Sequence, residues 1–408
     1  MAATAPALNL TSLDFALKEL YDGQAVQNAV YKDNPFLAMV PKKTDFVGRN
    51  YPLPVVYSPS AGRSAVFANA QTNQASLAGV EFLLKRVSDY SLATIDRQTL
   101  LASAQDPGSF IRGAKANIDY ALTAIKNSLA SGIFRSGTGT IGSGTISSGV
   151  ITLANAADAV QFEVNMVILP SASDGGAIIG SAGNGFVVSV DRVGGTVTVA
   201  TSIGGSAATP ANWTGTMYFS VSGDLNAKMS GLQAWLPNSN PSNTAFFGID
   251  RTVDLVRLSG IRYDGSGQTV EEALLDSSNL VAREGGSPDN AVMPFASYSA
   301  LVKGLGAKRQ YVEGKVGEVG FTGIRVDGAG GPINVWPDRS CPVARCFLLT
   351  MDTWVLASLG EAPHIQTDLV TGNMLRVYNA DQGELRISFY GQLGCKFPGA
   401  NGNVLLGV

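Results

Sequence analysis

DPGSFIRGAKANIDYALTAIKNSLASGIF, residues 106–134, runs directly into RSGTGTIGSGTISSG, residues 135–149. The first string carries the strongest helical signal in the chain. Asp106 is a good N-cap, and Pro107 suits the first helical position, where a backbone N–H has no partner in any case. Ile111, Ala114, Ile118, Ala121, Leu122, Ile125, Leu129 and Ile133 recur at spacings of three and four, which draws one apolar stripe along the segment. At 1.5 Å per residue the predicted helix is on the order of 40 Å long. The second string ends that pattern at once. From 137 to about 225 short runs of Val, Ile, Thr and Phe are split by Gly, Ser and Asn, as in GVITLA, FEVNMVILP, GFVVSVDRVGGTVTVATS and GTMYFSV. Alternation on both sides of Asp191–Gly195 predicts a hairpin, and the regular short spacing predicts a compact β-barrel or sandwich. Because it opens after one helix and closes before another expected at 226–236, it reads as an inserted domain.

On the N-terminal side of the long helix, residues 46–96 hold two strand-like runs, 46–57 and 79–95, around a tip of small polar residues. Pro52 and Pro54 cannot donate to a central ladder, so the first run is an edge strand. The pair predicts a long two-stranded flap with little core of its own. Such a ribbon is marginal in water and is expected to lie on another surface. Residues 1–45 read as an arm. Thr11 or Ser12 caps a stripe of Leu13, Ala16, Leu17 and Leu20, and a second helical stretch follows through Val26, Ala29 and Val30. DNPFLAMVP, residues 33–41, is expected to end it.

Past the insertion, helix and strand alternate. TVEEALLDSSNLVARE, from Thr269, opens on a capping box of Thr269 and Glu272. PFASYSALVKGL, from Pro294, predicts a second helix. Short strands are expected at 316–326, 332–336 and 345–350, before a terminal stretch ending ELRISFYGQLGCKF.

Composition narrows the classes of function. Of 408 residues, 45% are apolar but only 15% charged, against about 25% charged in an ordinary soluble domain. That leaves much uncharged surface to place, and contact between copies of the chain is one outlet for it. A net charge of −3 supplies no basic field for nucleic acid or an anionic membrane. The N-terminus lacks a basic n-region and apolar h-region, no apolar run approaches the ~20 residues of a membrane span, and three cysteines are an odd number for a disulfide framework. Synthesis in the cytosol is expected.

Chemistry has few footholds. Cys341, Cys346, His364 and Cys395 make a zinc set by count alone, but C-P-V-A-R-C is at the limit of a zinc knuckle, and buried or turn cysteines are the expected reading. GIRYDGSGQTVEEALL supplies strand, G-x-G turn and helix, yet Val270 stands where a dinucleotide fingerprint has its third glycine. The chain has no G-x-S-x-G or P-loop string, and His364, its one histidine, sits in a stretch that reads as a loop. The basic residues are dispersed without interleaved aromatics. No cofactor, no metal and no catalytic residue is expected.

Several strings, in this order, resemble one family. NPFLAMVP resembles the end of an N-terminal arm; KRVSDYSLATIDRQTL, the returning strand of an E-loop; SFIRGAKANIDYALTAIKNSLASGIF, the spine helix of a P-domain. FGIDRTVDLVRLSGIRYDGSGQTVEEALLD is similar to the opening of an A-domain, and GPINV with the following VWPDRSCPVARCFLLTMDTW to a strand–turn–strand leading into a last helix headed by MDTW. The chain thus resembles the major capsid proteins of tailed bacteriophages, a Hong Kong-type fold shared with encapsulins. The likeness rests on order across all but 137–225 and on no single diagnostic motif.

The resemblance implies an α+β fold divided into an arm (1–45), E-loop (46–96), P-domain with spine helix (97–136), inserted β domain (137–225), and A-domain with the remainder of the P-domain (226–408). It implies a non-enzymatic shell protein, assembled in the host cytoplasm into the hexamers and pentamers of a virion capsid. Its implied partners are scaffold, portal and decoration proteins and non-specifically contacted packaged DNA, with no membrane. Arg49, Arg63 and Phe67 on the flap and Phe36 and Leu37 in the arm are the expected contacts between subunits. Some relatives carry a scaffolding segment ahead of the arm; here the arm follows Met1, so a separate scaffold or none is expected. Some crosslink through an E-loop lysine; residues 58–80 contain none, Lys85, Lys42 and Lys43 lying off the tip, so an uncrosslinked shell is expected. An encapsulin-type nanocompartment is the nearest alternative, and a β-rich tail or adhesion protein a more distant one.

Overall fold

The computed structural model describes residues 34–58, 62–96, 107–179, 183–306, 310–316, 319–366, 375–376 and 382–407. The arm helices expected at 13–20 and 26–30 and the Asp106 cap lie outside these residues.

The described chain begins with a one-turn helix, α1 (Pro35–Met39), and a short strand, β1 (Lys42–Lys43). Pro35, expected with Pro41 to end the helical stretch before it, starts a short helix of its own at a position that needs no N–H; the end of the preceding stretch lies outside the described residues. Strand β2 (Asn50–Ser58), helix α2 (Phe67–Thr72) and strand β3 (Ala78–Lys85) form the flap, and β4 (Val87–Asp96) follows. The run 79–95 is therefore two strands broken at Arg86. β3 pairs only with β2, whereas β4 joins another sheet.

The long helix α3 (Pro107–Gly132) has the predicted length and register. Ile118, Ala121, Leu122, Ile125 and Leu129 are buried, and Tyr120 points to solvent. Six strands then close a barrel: β5 (Thr140–Ser147), β6 (Val150–Leu153), β7 (Val167–Ser171), β8 (Gly185–Asp191), β9 (Thr196–Ala200) and β10 (Thr216–Val221). Around the barrel the order is β10-β5-β6-β9-β8-β7, so no edge is left open. Its separate core packs Phe162, Ile168, Val187, Val197, Val199, Met217 and Phe219 around Trp213. The predicted β8–β9 hairpin is present. The barrel's two connections run side by side: Asn226 N donates to Thr138 O at 2.8 Å, and Gly231 N to Arg135 O at 2.9 Å.

The helix expected over 226–236 shrinks to one turn, α4 (Leu232–Trp235), because its start is held in turns against the connection that enters the barrel. Then come β11 (Ile261–Gly265), α5 (Val270–Arg283), β12 (Asn290–Met293), α6 (Phe295–Leu305), β13 (Gln310–Val316), β14 (Val319–Gly328), β15 (Gly331–Pro337) and β16 (Arg345–Leu349). The predicted Thr269–Glu272 capping box is formed in both directions. The chain closes with β17 (Trp354–Ser358), β18 (His364–Gln366), β19 (Leu375–Arg376), β20 (Gln382–Cys395) and β21 (Gly402–Leu406). MDTW does not head a helix. Met351–Thr353 make a single 3-10 turn, and Trp354 begins a fully buried strand.

Two open sheets organise these elements. One runs β11-β21-β16-β12-β15-β14-β13, with α5 and α6 on its core. The other runs β1-β17-β20-β18, with β4 and β19 also paired to the long β20. α3 lies against this second sheet, and one continuous core joins them to the arm root and the flap. The architecture is α+β with an added all-β barrel.

Candidate interaction surface

Among the described residues the flap is a sheet of two strands. β2 and β3 pair from Asn50–Lys85 to Ser58–Ala78, with side chains alternating up to Val56 and a shift of register between Val56 and Ser58. On one face Leu53, Val55, Phe82 and Leu84 are buried in the main core. Phe82 packs edge-on against Trp235 with ring centroids 5.1 Å apart, and Trp235 in turn meets Phe246 at 5.0 Å. The Arg251 guanidinium covers Phe246 at 4.1 Å while Nη1 donates to Ala234 O at 2.7 Å. Backbone bonds fasten the same base: Leu83 N donates to Phe247 O at 3.1 Å, and Arg257 Nη1 to Tyr57 O at 2.5 Å. The expected lack of core beneath the flap is thus corrected for its base, which has a well-packed one.

On the opposite face and at the tip the described side chains are largely exposed. Pro52, Pro54, Val56, Glu81 and Leu83 point outward, and no residue of α2 is buried. Phe67 is 81% exposed and Val66, Leu77 and Val56 each at least half exposed. These are large apolar side chains that the described residues leave exposed on the face turned away from the core.

Of the residues expected to meet a neighbour, Arg49, Arg63 and Phe67 lie exposed along this flap. Phe36 and Leu37 do not. They are fully buried in their own chain, Phe36 against Phe134 at 5.8 Å and Trp354 at 6.2 Å between centroids. An apolar helix followed by a strand seated on β17 satisfies its stripe at home. Val56, Leu77 and Leu83 are further exposed apolar residues of the flap that the sequence reading did not single out; the outward phase of the two strands is the signal that marks Val56 and Leu83.

The cysteines and the histidine are dispersed. Cys341, Cys346 and Cys395 are buried free thiols; Cys341 Sγ donates to Arg345 O at 3.6 Å, and Cys395 Sγ lies 3.9 Å from Thr353 Oγ1. Burial pushes all three thiols up, that of Cys395 to about 12, so the nucleophilic thiolate is scarce. His364 stands on β18 instead of in a loop, with Nδ1 2.9 Å from Glu361 O and Nε2 3.3 Å from Ser388 Oγ. Among the described residues no group of three His, Cys, Asp or Glu is gathered as metal ligands would be. At the G-x-G turn, Glu272 Oε2 accepts from Thr269 N at 3.0 Å, so the start of α5 is capped by its own side chains. No described helix is long and apolar enough to cross a membrane.

No family model matches the chain, and no curated protein matches it. Solved structures do. The capsid asymmetric unit of cyanophage A-1(L) aligns over 92% of this chain and 93% of its own at 11% identity, with a TM-score of 0.47. The capsid of the native GTA particle aligns over 93% and 91% at 11% identity and 0.47. The holo-SrpI encapsulin complex from Synechococcus elongatus PCC 7942 aligns over 99% and 92% at 9% identity and 0.43.

Proposed function

We propose that this chain is a structural subunit of a closed protein shell, a major capsid protein of tailed-phage type that encloses double-stranded DNA. The carrying observation is the flap, whose base is built into the core while its outer face and tip present Val56, Val66, Phe67, Leu77 and Leu83 to solvent. A two-stranded ribbon packed on one face only gains further stability when another surface covers the other, and a second copy of the same chain supplies that surface without a further partner. In a symmetric assembly each copy gives its flap to one neighbour and receives another, so individually modest contacts are multiplied. A charged fraction of only 15% suits a chain that places much of its surface against copies of itself.

The expected division into arm, E-loop, P-domain, inserted barrel and A-domain belongs to this reading. So do hexamers and pentamers in a virion shell assembled in the host cytoplasm. Scaffold and portal proteins and the packaged genome are its further partners. The barrel faces outward, because on the lumenal side a domain of this size in every copy takes genome space. The role is non-enzymatic.

Negative-stain electron microscopy of the chain expressed alone tests the proposal. Closed shells or capsomer rings are expected, with flap-directed contacts. A discrete monomer that stays monomeric on co-expression with its neighbouring genes removes it. Shells that enclose a protein cargo and no DNA select the encapsulin-type alternative.

A further inference from the structure

The barrel meets the rest of the chain over a narrow front. Among the described residues its six strands pair only with one another, and none of its core residues belongs to the main core. Its entry and exit run side by side as a short stalk. At the foot of the stalk Gly137 has a positive φ, and a β-carbon there would stand 2.9 Å from Ser230 Oγ, so the two connections touch as bare backbone. Beside the stalk, where a packed interface would place side chains, a cavity of about 370 Å³ separates α3 from the barrel. The flap base, by contrast, is bedded in Trp235 and Phe246.

Two ionic contacts cross this front. From the end of α3, Arg135 Nη2 donates to Asp158 Oδ1 of the barrel at 2.6 Å. From the exit connection, Lys228 Nζ reaches Asp89 Oδ1 of β4 at 2.9 Å and Asp224 Oδ2 at 3.1 Å. Ser128 of α3 completes the second contact: Lys228 Nζ donates to its Oγ at 2.8 Å, and that Oγ donates to Asp89 Oδ2 at 2.6 Å. These five charged side chains are only 13–26% exposed, so salt screens them little.

The remaining polar ties sort by side. Thr138 Oγ1 donates to Asp174 Oδ1 at 2.5 Å, and Asn226 Nδ2 to Gly175 O at 2.9 Å, which makes stalk and barrel one body. The joint therefore lies at the foot, beside Gly137 and Ser230, where Ser230 N donates to Gln392 Oε1 of β20 at 3.0 Å. Units joined without a large apolar interface move relative to each other unless polar contacts across the joint hold them. We infer that the barrel is a rigid module jointed at the foot of its stalk, and that Arg135–Asp158 and Lys228–Asp89 are the latches that fix its orientation on the body. Opening both latches frees the module to swing and leaves its own core around Trp213 intact. The inference concerns the single chain and is independent of the shell reading.

Double electron–electron resonance reads the orientation directly. Val193→Cys on the β8–β9 turn and Tyr120→Cys on α3 place spin labels at exposed positions of barrel and body, while Cys341, Cys346 and Cys395 are buried. The labelled chain is diluted into unlabelled full chain, so that each distance lies within one copy. One narrow distance is expected with both latches intact. Arg135→Met/Asp158→Asn combined with Lys228→Met/Asp89→Asn/Asp224→Asn removes both latches and leaves none of their charges unpaired. That chain is expected to lose the single distance for a broad distribution, with hydrogen exchange in β8 and β9 as slow as before. Lys228→Arg alone, which keeps the charge, is expected to retain the narrow distance. An unshifted narrow distance in the latch-free chain, or a broad one with the latches intact, overturns the inference. Loss of protection in β8 and β9 together with the distance would assign the ion pairs to the barrel's own fold, and overturns it as well.

Discussion

Leu84 of the flap lies directly over Gly394 of β20: a β-carbon built on Gly394 would stand 2.9 Å from Leu84 Cδ1 and 3.3 Å from Leu53 Cδ2. The flap base is seated on bare backbone, and any larger residue there lifts it. Gly394→Val is expected to cost about 1–3 kcal/mol in denaturant unfolding, as overpacking does. It is also expected to reduce shell yield more than its stability loss explains. Normal particles from this variant would show that flap seating and assembly are unconnected.

The tip separates assembly from folding. Phe67→Asp and Arg63→Glu change exposed side chains, so each is expected to shift unfolding free energy by no more than about 0.5 kcal/mol. Phe67→Asp is nevertheless expected to block particle formation, read by size-exclusion elution. Wild-type particles with aspartate at 67 would take the tip out of the interface. With no lysine in 58–80, mature particles should run as single chains on a denaturing gel; a covalent ladder contradicts this.

Asn401 ties the ends of the core together. Its Oδ1 accepts from Trp354 Nε1 at 2.8 Å and from Thr350 N at 2.9 Å, and its Nδ2 donates to Phe397 O at 3.0 Å. Asn401→Leu strands the Trp354 indole N–H and the Thr350 N–H, while Phe397 O keeps its bond from Ala400 N, so at about 1–3 kcal/mol apiece a loss of at least ~2 kcal/mol is expected. Trp354→Phe, which removes one donor, should cost less than the Asn401 variant. The reverse ranking would assign the stabilisation to the indole's packing.

Asp338 gives the fold a pH dependence of defined sign. It is fully buried at the end of β15; its Oδ1 accepts from Ser340 N at 2.9 Å, and its Oδ2 has no hydrogen-bond partner. Burial raises its pKa from the ordinary 3.8 to about 7. The folded state therefore holds a proton that the unfolded state releases, and stability from this residue is present below about pH 4 and lost as pH rises towards 7. Asp338→Asn keeps the acceptor without the charge. Its stability relative to wild type should rise between pH 4 and 7 and level off above. A pH-independent difference in denaturant midpoints would mean that Asp338 does not titrate in this range.

The three thiols are expected to resist a disulfide reagent until the chain is denatured, because Cys341, Cys346 and Cys395 are buried and their thiolates disfavoured. A chelator should leave the thermal midpoint unchanged. Fast labelling of one thiol in the native protein, or a fall in midpoint with chelator, would reopen the metal reading of Cys341, Cys346, His364 and Cys395.

Much of this was legible in short windows. Ile118 to Leu129 show their helical stripe, Thr269 and Glu272 their cap, and 185–200 their hairpin, because each depends on neighbours within a few residues. Pro52 and Pro54 confined β2 to an edge for the same local reason. The break at Arg86 was not legible. Residues 79–95 alternate as one strand would, and what divides them is a change of partner from β2 to β20. MDTW carries no local mark that Trp354 will enter a sheet, since its pairing partner is Cys395.

The candidate surface divides along the same line. Alternation in the sequence determined that β2 and β3 have two faces, and the small polar tip that they project. Only the tertiary structure decided which face is buried, because that choice depends on Trp235, Phe246 and Gly394, which arrive from far along the chain. It likewise placed Phe36 against Phe134 and Trp354, turning an expected contact for a neighbour into core. Local sequence fixes periodicity through backbone sterics and hydrogen bonding; the partner of an apolar face is set by whichever distant surface removes most of it from water.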